Sequence, residues 1–223
     1  MALASVGRAG GAGIGATMLA CVAEHGSAAH AYIGSDALLK SPHTARNLAD
    51  AVHFLCTLHG RHPGVIDHAS NRHVEPPARA WFASSTAMFA AERAYLAKLA
   101  VAAGPLPSTP GAGDNDAAVR SQRHAIEMLA QSERTGCALG AALALAADWP
   151  AVRGVLDAAA RRFGIDSYPY GLGDAGALRT LANEIAVTAA VERALLFGAE
   201  QVAIQHHGLW DLLEARAGAR GDD

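Results

Sequence analysis

The chain has 223 residues, of which 51% are hydrophobic and 17% are charged, and its formal net charge at pH 7 is −3. This balance predicts a folded globular protein and excludes a disordered one, because enough apolar surface is available to offset the entropy lost on folding. The lack of a basic excess leaves no surface for phosphates, so we expect no nucleic-acid partner.

Residues 1–40 are rich in glycine, and we predict an irregular leader there with a short helix at about residues 16–24. The glycine run at 10–17 has no lysine before its threonine and no preceding strand, so it predicts no phosphate-binding loop and no cofactor. The stretch at 9–23 has too few large apolar residues for a secretory signal. Because the three cysteines are also widely spaced, a cytoplasmic location is expected.

Helical signals dominate residues 41–218, which are predicted to form one domain followed by a disordered tail at 219–223. The predicted elements are helix A at 42–59, helix B at 78–103, helix C at 115–148, helix D at 150–163 and helix E at 174–216. We therefore expect an all-α fold, a bundle of four principal helices (A, B, C and E) with D as a short capping helix. The most apolar stretch, 137–147, is too short to span a bilayer, so no membrane partner is expected.

Three glutamates fall at the centre of apolar stripes at the helical period, namely Glu92 on helix B, Glu133 on helix C and Glu192 on helix E. This pattern predicts that acidic side chains from three helices converge in the core. A buried carboxylate is costly without a partner, so an arginine, a proton or a metal ion must compensate it.

An arginine follows each of these glutamates, at Arg93, Arg134 and Arg193. If these arginines reach neighbouring helices, they form a structural network of ion pairs. The leading hypothesis is therefore a soluble, non-catalytic or regulatory protein whose buried Glu/Arg cluster is structural.

The main alternative is a carboxylate-bridged oxidoreductase in which the three glutamates hold two iron or manganese ions. Inward carboxylates resemble the layout of ferritin-like bundles, and that resemblance implies a di-metal centre. Ferritin-like proteins also place a histidine three residues after a glutamate, where this chain has Tyr95, Gly136 and Leu195. The resemblance is therefore architectural only.

The densest polar segment lies between residues 53 and 73 and contains five histidines: His53, His59, His62, His68 and His73. Histidine and aspartate at this density are suited to acid–base chemistry or metal binding. The candidate catalytic residues are His59, Asp67 and His68. Their spacing matches no zinc or hydrolase signature, so the sequence does not decide whether the protein is an enzyme.

A third hypothesis is a small-molecule binding module with an apolar pocket between helices B, C and E. His206 and Trp210 share the stripe of Glu192 and would lie at the mouth of that pocket. An exposed apolar helix face would also allow a homodimer.

Residues 53–69 and 81–163 resemble an uncharacterised family of all-helical alphaproteobacterial proteins. The resemblance implies a folded helical protein. No activity is attached to that family, so it implies none for this chain.

Overall fold

The computed structural model describes residues 13–72, 76–172 and 174–221. These residues form nine α-helices and two 3-10 turns without a strand, which confirms the all-α prediction. The helices are α1 (Ile14–His25), α2 (Asp36–Leu39), α3 (Thr44–His59), α4 (Val65–Ser70), α5 (Pro76–Ala103), α6 (Ala112–Ala130), α7 (Cys137–Phe163), α8 (Ala175–Ile185) and α9 (Ala189–Ala219). The 3-10 turns are Ser27–Ala29 and Ala31–Gly34.

Predicted helices A and B correspond to α3 and α5, but the prediction of one continuous helix C is wrong. The chain leaves α6 after Ala130 and enters α7 at Cys137, so Glu133 lies in a turn. Gly136 caps the new helix with φ of 96°, in the left-handed region that favours glycine. The break therefore removes Glu133 from any helical stripe.

The predicted end of a helix at Trp149-Pro150 is also wrong, because α7 continues through Pro150 to Phe163 and includes predicted helix D. A proline inside a helix removes the N–H that would bond to the carbonyl four residues earlier. Here that carbonyl belongs to Ala146, and the Tyr170 hydroxyl lies 3.4 Å from its oxygen. That hydroxyl also lies 3.2 Å from the Leu172 carbonyl oxygen, so the two carbonyls share its single proton.

Predicted helix E is interrupted between α8 and α9. The Thr188 hydroxyl accepts a hydrogen bond from the Val191 backbone N–H at 3.3 Å and caps α9. Glu192 consequently lies in the first turn of α9 and not at the centre of a long helix.

Part of the predicted irregular leader is packed helix. Within residues 13–40, α1 buries Met18 and Val22, and α2 buries Leu38. Helix α1 packs mainly against α8 and α9. Residues 1–12, which include the first three residues of the glycine run, lie outside the described part of the chain.

The helices α7 and α9 form the centre of the fold. They run in the same direction, since Gly140 contacts Leu195 near the start of both helices and Asp148 contacts His206 further along both. A methyl group at Gly140 would lie 2.0 Å from the Leu195 carbonyl oxygen, so the two backbones are in direct contact. Helix α7 is long and apolar enough to cross a bilayer, but 78% of its most apolar window is buried inside the protein. Its apolar character is accounted for by its central position.

Candidate functional site

Glu92 is buried as predicted, and its partners come from α7 and from the loop after it. One carboxylate oxygen accepts hydrogen bonds from the Arg153 guanidinium at 2.7 Å and the Tyr168 hydroxyl at 2.9 Å. The other accepts from the Trp149 indole at 2.8 Å. The compensating cation is therefore Arg153 and not an arginine that follows a glutamate.

The Arg153 guanidinium is also held by a second carboxylate and by two aromatic rings. Its Nε donates to Asp157 at 2.9 Å, and its guanidinium carbon lies 4.4 Å and 4.6 Å from the ring centroids of Tyr95 and Tyr168. Burial and the hydrogen bond to Asp157 raise the pKa of Tyr95 to about 12. Because the charged groups of Glu92 and Arg153 are both paired and hydrogen-bonded, they have the properties of a structural ion pair.

The other two glutamates do not join Glu92, so the predicted convergence is wrong. Glu133 is exposed in the turn between α6 and α7, and Glu192 is only half-buried. Among the described residues, no cluster with metal-ligand spacing contains any of the three. The di-iron or di-manganese centre at Glu92, Glu133 and Glu192 therefore has no geometric basis.

The predicted arginine network is met in part, because Arg93 reaches a neighbouring helix and pairs there with an aspartate. Arg93 pairs with Asp67 at 2.8 Å, and Arg134 lies over the Phe197 ring with 5.3 Å to its centroid. Arg193 is exposed on α9. Arg93 and Arg134 therefore make separate local contacts, and the break between α6 and α7 places Arg134 in a turn instead of on a helix.

The three candidate catalytic residues are divided between different environments. Asp67 accepts a hydrogen bond from the Gly64 backbone N–H at 2.8 Å and pairs with Arg93, so it caps α4 and ties it to α5. His68 is half-buried on α4. His73 lies outside the described residues. Of the candidates, only His59 enters a larger polar network.

That network, which we call the buried relay, consists of His59, His206, Asp148 and Ser27. The Nε2 atoms of His59 and His206 lie 2.8 Å apart, and His206 Nδ1 lies 2.6 Å from an Asp148 oxygen. Ser27 donates its hydroxyl and its backbone N–H to Asp148, at 2.5 Å and 2.8 Å. The relay joins the first 3-10 turn, α3, α7 and α9, and none of its members is more than 4% exposed.

Its charge states follow from this geometry. Burial and the neighbouring His206 hold the pKa of His59 well below its usual value, so His59 is neutral. Burial opposes ionisation of Asp148, but the hydrogen bonds and charge of His206 and the two bonds from Ser27 outweigh it and lower its pKa. Only one proton fits between the two Nε2 atoms.

The relay also corrects the predicted pocket. His206 is 1% exposed and engaged inside the core, and Trp210 is fully buried, so neither lies at the mouth of a cavity. The sequence placed both residues correctly on an inward face. It could not indicate that the partner of His206 would be a histidine 147 residues away.

A second group, which we call the surface His/Asp cluster, consists of His30, His207 and Asp211. One potential ligand atom from each lies within 4.8 Å of the others. His30 Nε2 is 3.1 Å from an Asp211 carboxylate oxygen, and the rings of His30 and His207 have centroids 4.7 Å apart. His207 and Asp211, with His25, line an adjoining pocket of about 230 Å³.

The local fold determines how each member is presented. His207 and Asp211 are one turn apart on α9 and therefore lie on the same face. His30 Nδ1 accepts a hydrogen bond from the Tyr32 backbone N–H at 3.1 Å, so a neutral His30 carries its proton on Nε2 and donates it to Asp211. His207 Nδ1 is buried and has no hydrogen-bond partner within the described part of the chain.

This cluster is absent from the candidate residues that the sequence predicts. The four-residue spacing of His207 and Asp211 on a helix indicates that the two side chains lie on the same face. No sequence pattern indicates that His30 joins them, because His30 lies in a segment without periodicity and 181 residues from Asp211.

The chain belongs to the family described as Family of unknown function (DUF6975), whose model matches residues 22–221. The matched region includes every member of the buried relay and of the surface His/Asp cluster. No curated protein and no solved structure matches the chain. Membership of a family without an assigned activity agrees with the resemblance drawn from the sequence.

Proposed function

We propose that the protein is a non-catalytic helical protein that binds one divalent transition-metal ion at the surface His/Asp cluster. The observation that carries the proposal is the convergence of the ligand atoms of His30, His207 and Asp211 within 4.8 Å. In this proposal the buried pair of Glu92 and Arg153 has a structural role only.

The donor set selects the class of ion. Imidazole nitrogens suit zinc, iron, nickel and copper, whereas magnesium and calcium prefer sites built from oxygen. Two imidazoles and one carboxylate therefore favour an ion such as Zn²⁺, with water completing its coordination.

The cluster must contract to close around such an ion. Tetrahedral zinc with bonds of about 2.0 to 2.1 Å holds its ligand atoms roughly 3.3 Å apart. Asp211 is 66% exposed and can rotate toward the histidines, while His30 is only 6% exposed and provides a fixed point. The unpartnered Nδ1 of His207 loses no protein hydrogen bond if it becomes a ligand.

Binding through His30 Nε2 has a cost that limits the affinity. A ligating imidazole keeps its proton on the other nitrogen, so His30 Nδ1 would have to give up its bond from the Tyr32 N–H. Losing that hydrogen bond costs about 1–3 kcal/mol, which weakens binding by about 5- to 150-fold. We therefore expect an exchangeable metal ion and not a permanent structural one.

Calorimetric titration of the full chain with ZnCl₂ at pH 7.5 tests this proposal. We expect one ion per chain, with affinity reduced at least about tenfold by His207→Ala and by Asp211→Asn. Glu214→Gln is the matched control, because Glu214 is an exposed carboxylate on the same helix outside the cluster. The proposal is wrong if the wild type binds no zinc, or if Glu214→Gln weakens binding as much as Asp211→Asn does.

A further inference from the structure

Three arginines from distant parts of the chain line two neighbouring cavities near the N-terminal end of α7. Arg72 lies in the turn after α4, Arg134 in the turn before α7, and Arg193 near the start of α9, and we call them the arginine cluster. Arg72 and Arg134 line a cavity of about 220 Å³, and Arg134 and Arg193 line one of about 390 Å³. Both cavities include Arg134 and Thr135, so they border the same short segment of the chain.

The geometry points to the arginine cluster as a binding site for a small phosphate monoester, with the phosphate group held at the segment that both cavities share. The formal net charge of the chain predicts no surface for phosphates, but a net charge does not show where the charges lie. The surface His/Asp cluster lies further along α9 and shares no residue with either cavity. The proposal is therefore independent of the proposed metal site.

The arginine cluster has hydrogen-bond donors to spare. Arg72 donates one hydrogen bond to the Ser132 carbonyl oxygen at 3.4 Å, and no described carboxylate forms an ion pair with Arg72, Arg134 or Arg193. The buried arginines Arg153 and Arg216 differ, because each is paired with a carboxylate. Unpaired guanidinium groups keep their N–H donors for an anion that enters from solvent.

Phe197 restrains Arg134 without using those donors. The guanidinium carbon of Arg134 lies 5.3 Å from the centroid of the Phe197 ring. Such a contact attracts the cation to the ring and provides no conventional hydrogen-bond acceptor for its N–H groups. Arg134 can therefore offer its planar fork to two oxygen atoms of one phosphate group.

The charges that line the cavities match a doubly charged anion. Glu133 is the carboxylate among the lining residues, so three arginines and one glutamate leave a formal charge of +2. Glu192 precedes Arg193 in the chain but lines neither cavity, and the first turn of α7 contains no acidic residue. A phosphate monoester carries a charge of about −1.5 to −2 at pH 7, whereas a monocarboxylate would neutralise only half of the excess.

The size and the walls of the larger cavity favour a small molecule. Its volume of about 390 Å³ falls within the range of about 300–1,000 Å³ that is typical of small-molecule sites. Ala190, Val191 and Ala194 form its apolar side. They provide a surface for a short carbon skeleton, while the shared segment and the Thr135 hydroxyl face the phosphate group.

Calorimetric titration of the metal-free full chain with sodium glycerol phosphate, at pH 7.5 and low ionic strength, tests this proposal. We expect one molecule per chain. Arg134→Gln and Arg193→Gln should each weaken binding about fivefold, because each removes one exposed ion pair with the ligand. Glu133→Gln should strengthen binding about two- to fivefold, because it removes a like charge. Unchanged circular dichroism spectra check that the variants are folded.

Arg161→Gln is the matched control, since Arg161 is an exposed arginine near the other end of α7 and lines neither cavity. It should bind like the wild type. Absence of binding at millimolar glycerol phosphate, equal affinity for succinate, or equal weakening by Arg161→Gln and Arg193→Gln would each overturn the proposal, as would weaker binding by Glu133→Gln. The outcome of the zinc titration does not affect this test, because it is carried out without metal.

Discussion

Replacing Arg153 with methionine is expected to destabilise the protein by about 4 kcal/mol. Glu92 is 2% exposed and would keep only the neutral donors Trp149 and Tyr168. Removing one partner of a buried ion pair costs about 3–5 kcal/mol, and the two remaining hydrogen bonds place the loss near the lower end. The lost contacts of the guanidinium with the rings of Tyr95 and Tyr168 add about 0.5–1 kcal/mol.

Thermal and urea unfolding followed by circular dichroism measure this loss. For a chain of this size, about 2–4 °C of melting temperature corresponds to 1 kcal/mol, so a decrease of roughly 8–16 °C is expected. Arg193→Gln serves as the control, because Arg193 is exposed and its replacement should change stability by less than about 0.5 kcal/mol.

A double-mutant cycle separates the ion pair from the packing of its side chains. Glu92→Gln alone should cost about 1–3 kcal/mol, because an amide cannot accept all the donors that the carboxylate accepts. The double variant should cost at least about 1 kcal/mol less than the sum of the two single variants. Additive losses, or a loss below about 1 kcal/mol for Arg153→Met, would refute a buried, coupled pair.

Two further predictions concern pH and backbone packing. The pKa of His59 is depressed in the folded protein, so the unfolded chain takes up a proton that the folded chain does not, and stability should fall by up to about 1.4 kcal/mol per pH unit below about pH 6.5. Urea unfolding between pH 7.5 and pH 5 measures how the free energy of unfolding depends on pH. His59→Gln should lower the number of protons taken up on unfolding by one, and an unchanged pH dependence in this variant would contradict the prediction. Gly140→Ala should cost at least about 1–3 kcal/mol, because its methyl group would lie 2.0 Å from the Leu195 carbonyl oxygen. Gly154→Ala on the same helix has open space and should stabilise by about 0.5–1 kcal/mol, so equal melting temperatures of the two variants would count against the contact of α7 with α9.

The helices that the sequence predicts well are those whose ends carry local signals. Helix α3 begins two residues after Pro42 and ends next to Gly60, and α5 ends next to Gly104. The failure at Pro150 has a different origin. A proline leaves the carbonyl four residues earlier without its helical donor, and here a hydroxyl within 3.4 Å of that carbonyl belongs to Tyr170, 24 residues from Ala146.

The predictions for the candidate site also succeeded where they depended on local sequence and failed where they depended on distant residues. The sequence indicated correctly that Glu92 is buried, because that conclusion rests on helical periodicity. It named His59 only as one of three candidate catalytic residues, on the local density of histidine. It assigned the wrong partners, because the interrupted helices place Glu133 and Glu192 away from Glu92.

Composition and helical period by themselves determined that the chain is all-α and that an acidic side chain enters its core, because both properties depend on residues within a few turns of one another. Only the tertiary structure decided that Arg153 compensates Glu92, that His59 meets His206, and that His30 meets Asp211. The packing of the helices determines which buried polar groups lie close enough to form hydrogen bonds. The segments that contain Ser27, His30 and Tyr168 have no periodicity that would predict their positions.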